Sequence, residues 1–169
     1  MSLIEILKYP EPKLRKPSVE IKDITDEVLK LLDDMAETMY DAPGIGLAAP
    51  QIGKNIRVAV IDIGKRDEEE GELIKLINPS NKMIDGEEVI EEGCLSVPGI
   101  TEAVKRPDRI LVTATSPEGK KIEFETSGLL SRVIQHEFDH LEGILFIDRV
   151  SKIKKELIKM KLRKGLQDK

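Results

Sequence analysis

Residues 127–143, with the sequence SGLLSRVIQHEFDHLEG, contain both histidines of the chain. Ser127 is a suitable N-cap for an α-helix and Gly143 a suitable stop. His136 and His140 are four residues apart, so on a helix both imidazoles lie on one face and can reach a single ion. Glu137 lies about 100° around that helix, among apolar positions that raise the pKa of a base acting on water. Two ligands and a base in one helical turn are typical of zinc hydrolases.

A catalytic site of this kind needs a third protein ligand. The chain has no third histidine, and Cys94 is its one cysteine, within Glu92-Gly93-Cys94-Leu95-Ser96. Because a thiolate is a strong ligand, the sequence predicts that Cys94, His136 and His140 hold one ion and leave a fourth position for water. One thiolate and two imidazoles suit Fe²⁺ as well as Zn²⁺.

Each of these features also has a simpler interpretation. A His-Glu-x-x-His match can arise by chance, and a single cysteine can be a small buried apolar side chain. The glycine-rich residues 44–51 can form a tight turn, with Gln51 as a surface amide. A structural metal site is a further alternative, although such sites use four protein ligands.

The remainder of the chain predicts strands between helices. A helix is expected over residues 25–40, a second from 127 to about 142 and a third from 151 to about 164. Strands are expected at 57–63, 73–77, 82–85, 87–91, 109–116 and 121–126, with an acidic turn at 64–72. This order predicts one α+β domain over residues 1–169, in which antiparallel strands pack around the central metal-binding helix between an N-terminal and a C-terminal helix.

Composition excludes several classes of protein. The chain has 169 residues, five of them aromatic, and a net charge of −5, which disfavours binding to DNA. A single cysteine allows no intramolecular disulfide. No apolar run approaches the length of a membrane span, and residues 1–10 do not resemble a targeting signal. The sequence therefore predicts a cytoplasmic protein with no membrane partner.

Residues 151–169 differ from the rest of the chain in charge. They carry eight Lys and Arg against two acidic residues, a charge of +6 that leaves −11 on the rest. Ile153, Leu157 and Met160 form an apolar stripe on a predicted helix. The stripe is expected to dock while the basic face stays solvated.

Three segments resemble the signature motifs of the peptide deformylase family. They are Gly44-Ile45-Gly46-Leu47-Ala48-Ala49-Pro50-Gln51, then Glu92-Gly93-Cys94-Leu95-Ser96, then Gln135-His136-Glu137-Phe138-Asp139-His140-Leu141-Glu142-Gly143. The segments occur in the family's order, and the resemblance extends over residues 3–150. Members of this family remove the formyl group from N-terminal formyl-methionine of new bacterial polypeptides and release formate, an N-terminal processing step of protein biosynthesis.

The resemblance implies a role for each motif residue. Cys94, His136 and His140 would bind one divalent ion, Fe²⁺ in vivo, which Zn²⁺, Ni²⁺ or Co²⁺ can replace. Glu137 would be the general acid and base, while the Gln51 side chain and the Leu95 backbone N–H would stabilise the oxyanion. The pocket for the methionine side chain would be lined by Ile45, Gly46, Gly93 and Val133.

Two positions depart from some members of the family. Thr101 stands where those members have an arginine, so the resemblance predicts no arginine contact to the peptide at this position. Arg132 stands where some have an apolar residue, and it is expected either to close the pocket rim or bind an acidic partner, or to be solvated over a packed stem. The resemblance also favours contact between the basic C-terminal helix and ribosomal RNA.

Two other functions stay open from the sequence. One is a metallopeptidase or other amide hydrolase with the same Cys/His/His site, and the other is a non-catalytic metal-binding protein. N-formyl-methionyl nascent peptides are the expected substrates under the first interpretation.

Overall fold

One antiparallel sheet with the strand order β1-β2-β3-β4-β5 organises the molecule. The structure is a computed structural model that describes residues 2–64 and 72–167, so most of the acidic turn expected at 64–72 lies outside the described residues. The strands are β1 (Gly46–Ala48), β2 (Val58–Ile61), β3 (Ile74–Cys94), β4 (Val97–Thr115) and β5 (Lys121–Thr126). The helices are α1 (Asp26–Asp41), α2 (Gly128–Leu141) and α3 (Lys152–Gln167), with 3₁₀ turns at Pro12–Arg15, Ala49–Ile52 and Phe146–Arg149. The predicted α+β fold is confirmed.

β3 is longer than the sequence predicts. The separate strands expected at 73–77, 82–85 and 87–91 are one strand of 21 residues. Its pairing with β4 shifts register after Ile77 and after Met83, close to the turn-forming residues Asn78 and Gly86, which have positive φ. These residues produce bulges within a continuous strand instead of ending it.

β4 and β1 also differ from expectation. β4 begins at Val97, whereas its strand pattern becomes regular only near Arg109, because Pro98, Gly99 and Pro107 interrupt the alternation. β1 has three residues and was expected to be part of a turn. Pairing with β2 specifies both its conformation and its register, with Gly46 opposite Ile61.

α1 forms as predicted. The Thr25 hydroxyl accepts a hydrogen bond from the Val28 N–H, and Asp26 and Glu27 place negative charge at the positive end of the helix. Its buried face packs into a core cluster with β1, the 3₁₀ turn after it, β2 and the start of β3. The cluster is composed of Leu32, Met35, Met39, Leu47, Ala49, Ile52, Val58, Val60 and Ile77.

α2 is the central helix, since ten of its 14 residues are buried. It packs against β1 and β4. Ser127 occupies the N-cap position, but its side chain makes no capping hydrogen bond. Gly143 follows the C-cap with φ of 77°, so the helix ends where the sequence predicts.

α3 docks through a different face from the predicted one. Ile153, Leu157 and Met160 are 76%, 54% and 61% exposed, whereas Ile158 is buried. Ile158 and Leu162 pack in a cluster with Leu14, Val97, Val104, Leu145, Phe146 and Ile147. The expected docking stripe is wrong because Ile158 and Leu162, four residues apart, form the face that buries apolar surface in this cluster, and Lys154 on the same side reaches Glu102 of β4. Within the described residues, no helix has the length and apolar character of a membrane span.

Candidate active site

Three candidate metal ligands meet beneath one end of β3. Cys94 is the last residue of that strand, and His136 and His140 come from successive turns of α2. Their ligand atoms lie within 4.8 Å of one another, and the Cys94 Sγ is 3.2 Å from the His140 Nε2. The imidazole centroids are 5.0 Å apart. One thiolate and two imidazoles converging on one point are a donor set that fits a divalent metal ion.

A buried carboxylate orients His136. The His136 Nδ1 lies 3.0 Å from Glu92 Oε1, so the neutral ring would donate from Nδ1 and present the Nε2 lone pair to a metal. Burial alone raises the pKa of Glu92, but hydrogen bonds from His136 and Arg106 outweigh it and bring that pKa to about 2. Glu92 is therefore a permanent anion at neutral pH.

The surroundings shift the pKa values of the two imidazoles in opposite directions. Burial opposes the charged form of His136, but its neighbours Cys94 and Glu92 outweigh burial and raise its pKa. Burial and the positive charge of its neighbours hold the pKa of His140 well below its usual range. His140 is completely buried, which favours the neutral form that binds metals.

Glu137 lies against β1 in the same buried region. A β-carbon added at Gly46 would be 2.9 Å from Glu137 Oε1 and 2.9 Å from a Val133 methyl group, so only glycine leaves room for the carboxylate there. Burial raises the pKa of Glu137 to about 7, against the opposing effect of His136 and Arg106. Its Oε2 has no hydrogen-bond partner among the described residues. A group with this pKa can both accept and donate a proton near neutral pH.

The Gln51 side chain is aimed at the site. The Ala48 N–H donates to Gln51 Oε1 at 2.9 Å, which directs the amide nitrogen toward the Ser96 Oγ at 3.2 Å and the Cys94 Sγ at 3.6 Å. Gln51 is 1% exposed, so its interpretation as a surface amide is wrong. Leu95 lies in the turn between β3 and β4, where its carbonyl accepts a hydrogen bond from Lys8 Nζ.

A cavity of about 500 Å³ opens beside these residues. Cys94, His136 and Glu137 line it, together with the oxyanion candidates Gln51 and Leu95. All four residues expected to form the methionine pocket line the same cavity: Ile45, Gly46, Gly93 and Val133. His140 does not line it and lies behind the other ligands.

Sequence reasoning gave no role to the charged layer behind the ligands. Arg106 bridges Glu92 and Asp139, with all three side chains at most 7% exposed, and Arg149 also binds Asp139. Asp139 lies three residues after His136 on α2, so the helical spacing could have indicated it. Arg106 carried no local signal, because only the pairing of β4 with β3 brings it to Glu92.

The two positions that depart from the family pattern also lie at the cavity. Thr101 lines it and pairs with Gly93 across β3 and β4. Arg132 lines it as well and is 5% exposed. Its guanidinium binds Glu92, so the solvated alternative is wrong and the acidic partner is confirmed.

The fold and the site together define a metal-dependent hydrolase. The polypeptide deformylase family model matches residues 3–156. The chain is 46% identical over 168 residues to the peptide deformylase of Syntrophobacter fumaroxidans, covering 99% of this chain and 98% of that protein. It is 48% identical over 163 residues to that of Thermodesulfovibrio yellowstonii, covering 96% and 98% of the two chains.

A solved structure is similar over the same range. The peptide deformylase from Ehrlichia chaffeensis in complex with actinonin superposes with a TM-score of 0.90 at 35% identity, covering 98% of each chain. The chain therefore belongs to the polypeptide deformylase family.

Proposed function

We propose that this chain removes the formyl group from the N-terminal formyl-methionine of newly made polypeptides and releases formate. The observation that carries the proposal is the buried Glu137 carboxylate beside three converging ligand atoms of Cys94, His136 and His140, at a cavity large enough for a peptide end. Neither a metallopeptidase nor a non-catalytic metal protein is supported by a further observation.

Cys94, His136 and His140 would hold one divalent ion. The ion supplies Lewis-acid activation of water and of the substrate carbonyl. We propose Fe²⁺ as the ion in vivo. Zn²⁺, Ni²⁺ or Co²⁺ could replace it, because one thiolate and two imidazoles suit all four ions. Metal analysis of protein purified without oxygen tests this assignment, and a preparation containing zinc but no iron would contradict it.

Glu137 would move the proton. Its pKa of about 7 suits a group that removes a proton from the attacking water and delivers it to the departing amine. Without that proton the amine is a poor leaving group. The absence of a hydrogen-bond partner on Oε2 among the described residues leaves that oxygen free for the transfer.

Gln51 and Leu95 would stabilise the charge that develops on the formyl oxygen. The Gln51 amide is fixed by Ala48, and the Leu95 N–H belongs to a tight turn after Cys94. Donors held in place before the reaction lower the barrier by about 3–4 kcal/mol each.

The substrate would lie along β1. β1 is the first strand of the sheet and pairs with β2 on one side, so the backbone at Ile45 and Gly46 can add a peptide strand on the other. Gly93 and Val133 would contact the methionine side chain. Formyl carries only a hydrogen on its carbonyl carbon, so the tight space at Gly46 would exclude acetyl groups.

A comparison of three substrates tests the proposed reaction. Formyl-Met-Ala should be cleaved with release of formate, while acetyl-Met-Ala and a peptide with only internal amide bonds should react at least about a hundredfold more slowly. Equal turnover of all three would contradict a deformylase and favour a general amide hydrolase.

We further propose that residues 1–169 act as one cytoplasmic domain that contacts the ribosome through α3. The packing of Ile158 and Leu162 against the core supports one domain, and a metal-binding thiolate at Cys94 favours a reducing compartment. The exposed basic residues of α3 include Lys152, Arg163 and Lys164, and such side chains attract RNA phosphates.

Charge reversal tests the ribosome contact. The triple variant Lys152→Glu, Arg163→Glu, Lys164→Glu should lose co-sedimentation with ribosomes at low salt, whereas deformylation of a short peptide should be unchanged. Co-sedimentation equal to that of the parent would contradict the contact.

A further inference from the structure

Arg132 is a buried cation that the proposed chemistry does not use. It lies on α2, four residues before His136, and is 5% exposed. A buried guanidinium is costly unless polar partners compensate it. The hydrogen-bond partners of the Arg132 guanidinium therefore indicate its role in the site.

Arg132 and Arg106 share one carboxylate oxygen. Arg132 Nη1 donates to Glu92 Oε2, which also accepts from Arg106 Nε at 2.6 Å. Glu92 Oε1 accepts from Arg106 Nη2 at 2.9 Å and faces His136 Nδ1 at 3.0 Å. Arg106 thus binds both oxygens of the carboxylate that orients His136, and Arg132 adds a second donor to the oxygen that does not face the imidazole.

Arg132 also binds the backbone of two strands. Its Nη1 donates to the Val104 carbonyl of β4 at 2.9 Å, and its Nη2 donates to the Glu88 carbonyl of β3 at 2.8 Å. Beyond Ile77, β3 pairs with β4 on one edge and not with β2. Arg132 therefore links α2 to the backbone of both strands in this part of the sheet, next to the cavity-lining residue Ile90.

We infer that Arg132 is a positioning residue for the proposed deformylation: it holds the Glu92 carboxylate against His136 and ties the β3 wall of the cavity to the helix that carries both histidines. The inference rests on the proposed function, because it assigns His136 to the metal. A planar guanidinium reaches three acceptors in different directions, which a lysine ammonium cannot do with the same geometry.

Binding of Co²⁺ to the metal-free protein tests this role without using turnover. Removing a group that orients a metal ligand weakens metal binding by about 10- to 100-fold. Arg132 acts through Glu92, so Arg132→Leu should weaken Co²⁺ binding about tenfold, at the lower end of that range, in competition with a chelator. The visible spectrum of the bound Co²⁺ should also shift. Arg132→Lys should bind Co²⁺ more tightly than Arg132→Leu and more weakly than the parent.

Ser131→Ala is the matched control. Ser131 precedes Arg132 on α2 and is buried. Its hydroxyl donates to the Asp108 carbonyl of β4 at 2.6 Å and accepts from Gln135 Nε2 at 3.0 Å, so its loss removes two hydrogen bonds of α2 without touching Glu92. Ser131→Ala should keep the parent's Co²⁺ spectrum and affinity even if it unfolds at a lower temperature.

Two results separate the inference from the proposed function. Co²⁺ affinity and spectrum equal to the parent's in Arg132→Leu would overturn the positioning role alone. If that variant does not fold, the same result in Arg132→Lys decides. A parent that binds no Co²⁺ would overturn the metal site, and with it both proposals.

Discussion

Glu137 is the residue on which the proposed chemistry depends most. The residue is 4% exposed, and it lies one residue after a metal-ligand candidate without being part of the converging set. Glu137→Gln keeps the shape and removes the proton acceptor. We expect unchanged metal content and a loss of kcat of about 10²- to 10⁴-fold.

Metal analysis and formate release on the same preparation check that expectation. Loss of the metal in Glu137→Gln would show that the carboxylate is a ligand and that its assigned role is wrong. Ser131→Ala serves again as a control, since it alters α2 without changing the carboxylate.

Functional residues could be predicted from the sequence where a short motif or a unique residue type indicates their chemistry. The spacing of His136 and His140 specifies a shared helical face, and Cys94 was the one thiol available. Arg106 could not be identified in this way, because it contacts Glu92 only through the long pairing of β3 with β4. The sequence left three interpretations of Arg132 open, and only the folded structure shows that Glu92 is its acidic partner.

Among the elements, the end of α2 depends on one glycine. Gly143 has φ of 77°, and a β-carbon there would overlap the Arg15 carbonyl group. Gly143→Ala adds this overlap to the cost of a left-handed residue, so we expect a loss of about 2–4 kcal/mol in the free energy of unfolding. Urea unfolding followed by circular dichroism measures it.

Gly119→Ala provides the comparison for that variant. Gly119 also has positive φ, in the turn between β4 and β5, but no atom lies within 4 Å of an added β-carbon. It should cost only about 1–2 kcal/mol. Equal losses in the two variants would contradict the overlap with Arg15.

Helices were predicted better than strands for a physical reason. A helix is specified by residues three and four positions apart, so α1 and α2 could be located within the sequence that forms them. β1 and the first half of β4 take their conformation from partner strands, and their own residues include Gly46, Pro98 and Pro107. The face of α3 that docks also depends on residues distant in sequence, such as Leu14 and Val97, against which Ile158 packs.

Across the whole molecule, Asp148 joins the N-terminal region to the segment that leads into α3. Its carboxylate pairs with Arg15 near the N-terminus and with Lys155 of α3, and accepts from the Leu145 N–H. Burial alone raises the pKa of Asp148, but these partners outweigh burial and lower it below its usual 3.8. Folding therefore favours the ionised form.

A lowered pKa in the folded state contributes stability above the unfolded pKa, and that contribution disappears as the pH falls through the folded value. Asp148→Asn should therefore unfold more easily than the parent at pH 7, by about 1–2 kcal/mol. The difference should shrink as the pH falls below about 3.8. A difference in free energy of unfolding that is the same at pH 7 and pH 3 would contradict the ion-pair account.

The most direct test of the central claim is a titration of metal-free protein with Ni²⁺ while formate release from formyl-Met-Ala is measured. One site composed of Cys94, His136 and His140 predicts that activity rises linearly to one equivalent of metal and then stays constant. Cys94→Ala, which removes one of the three ligands, should show no such rise. Activity that does not depend on added metal, or that rises equally in Cys94→Ala, would contradict the account.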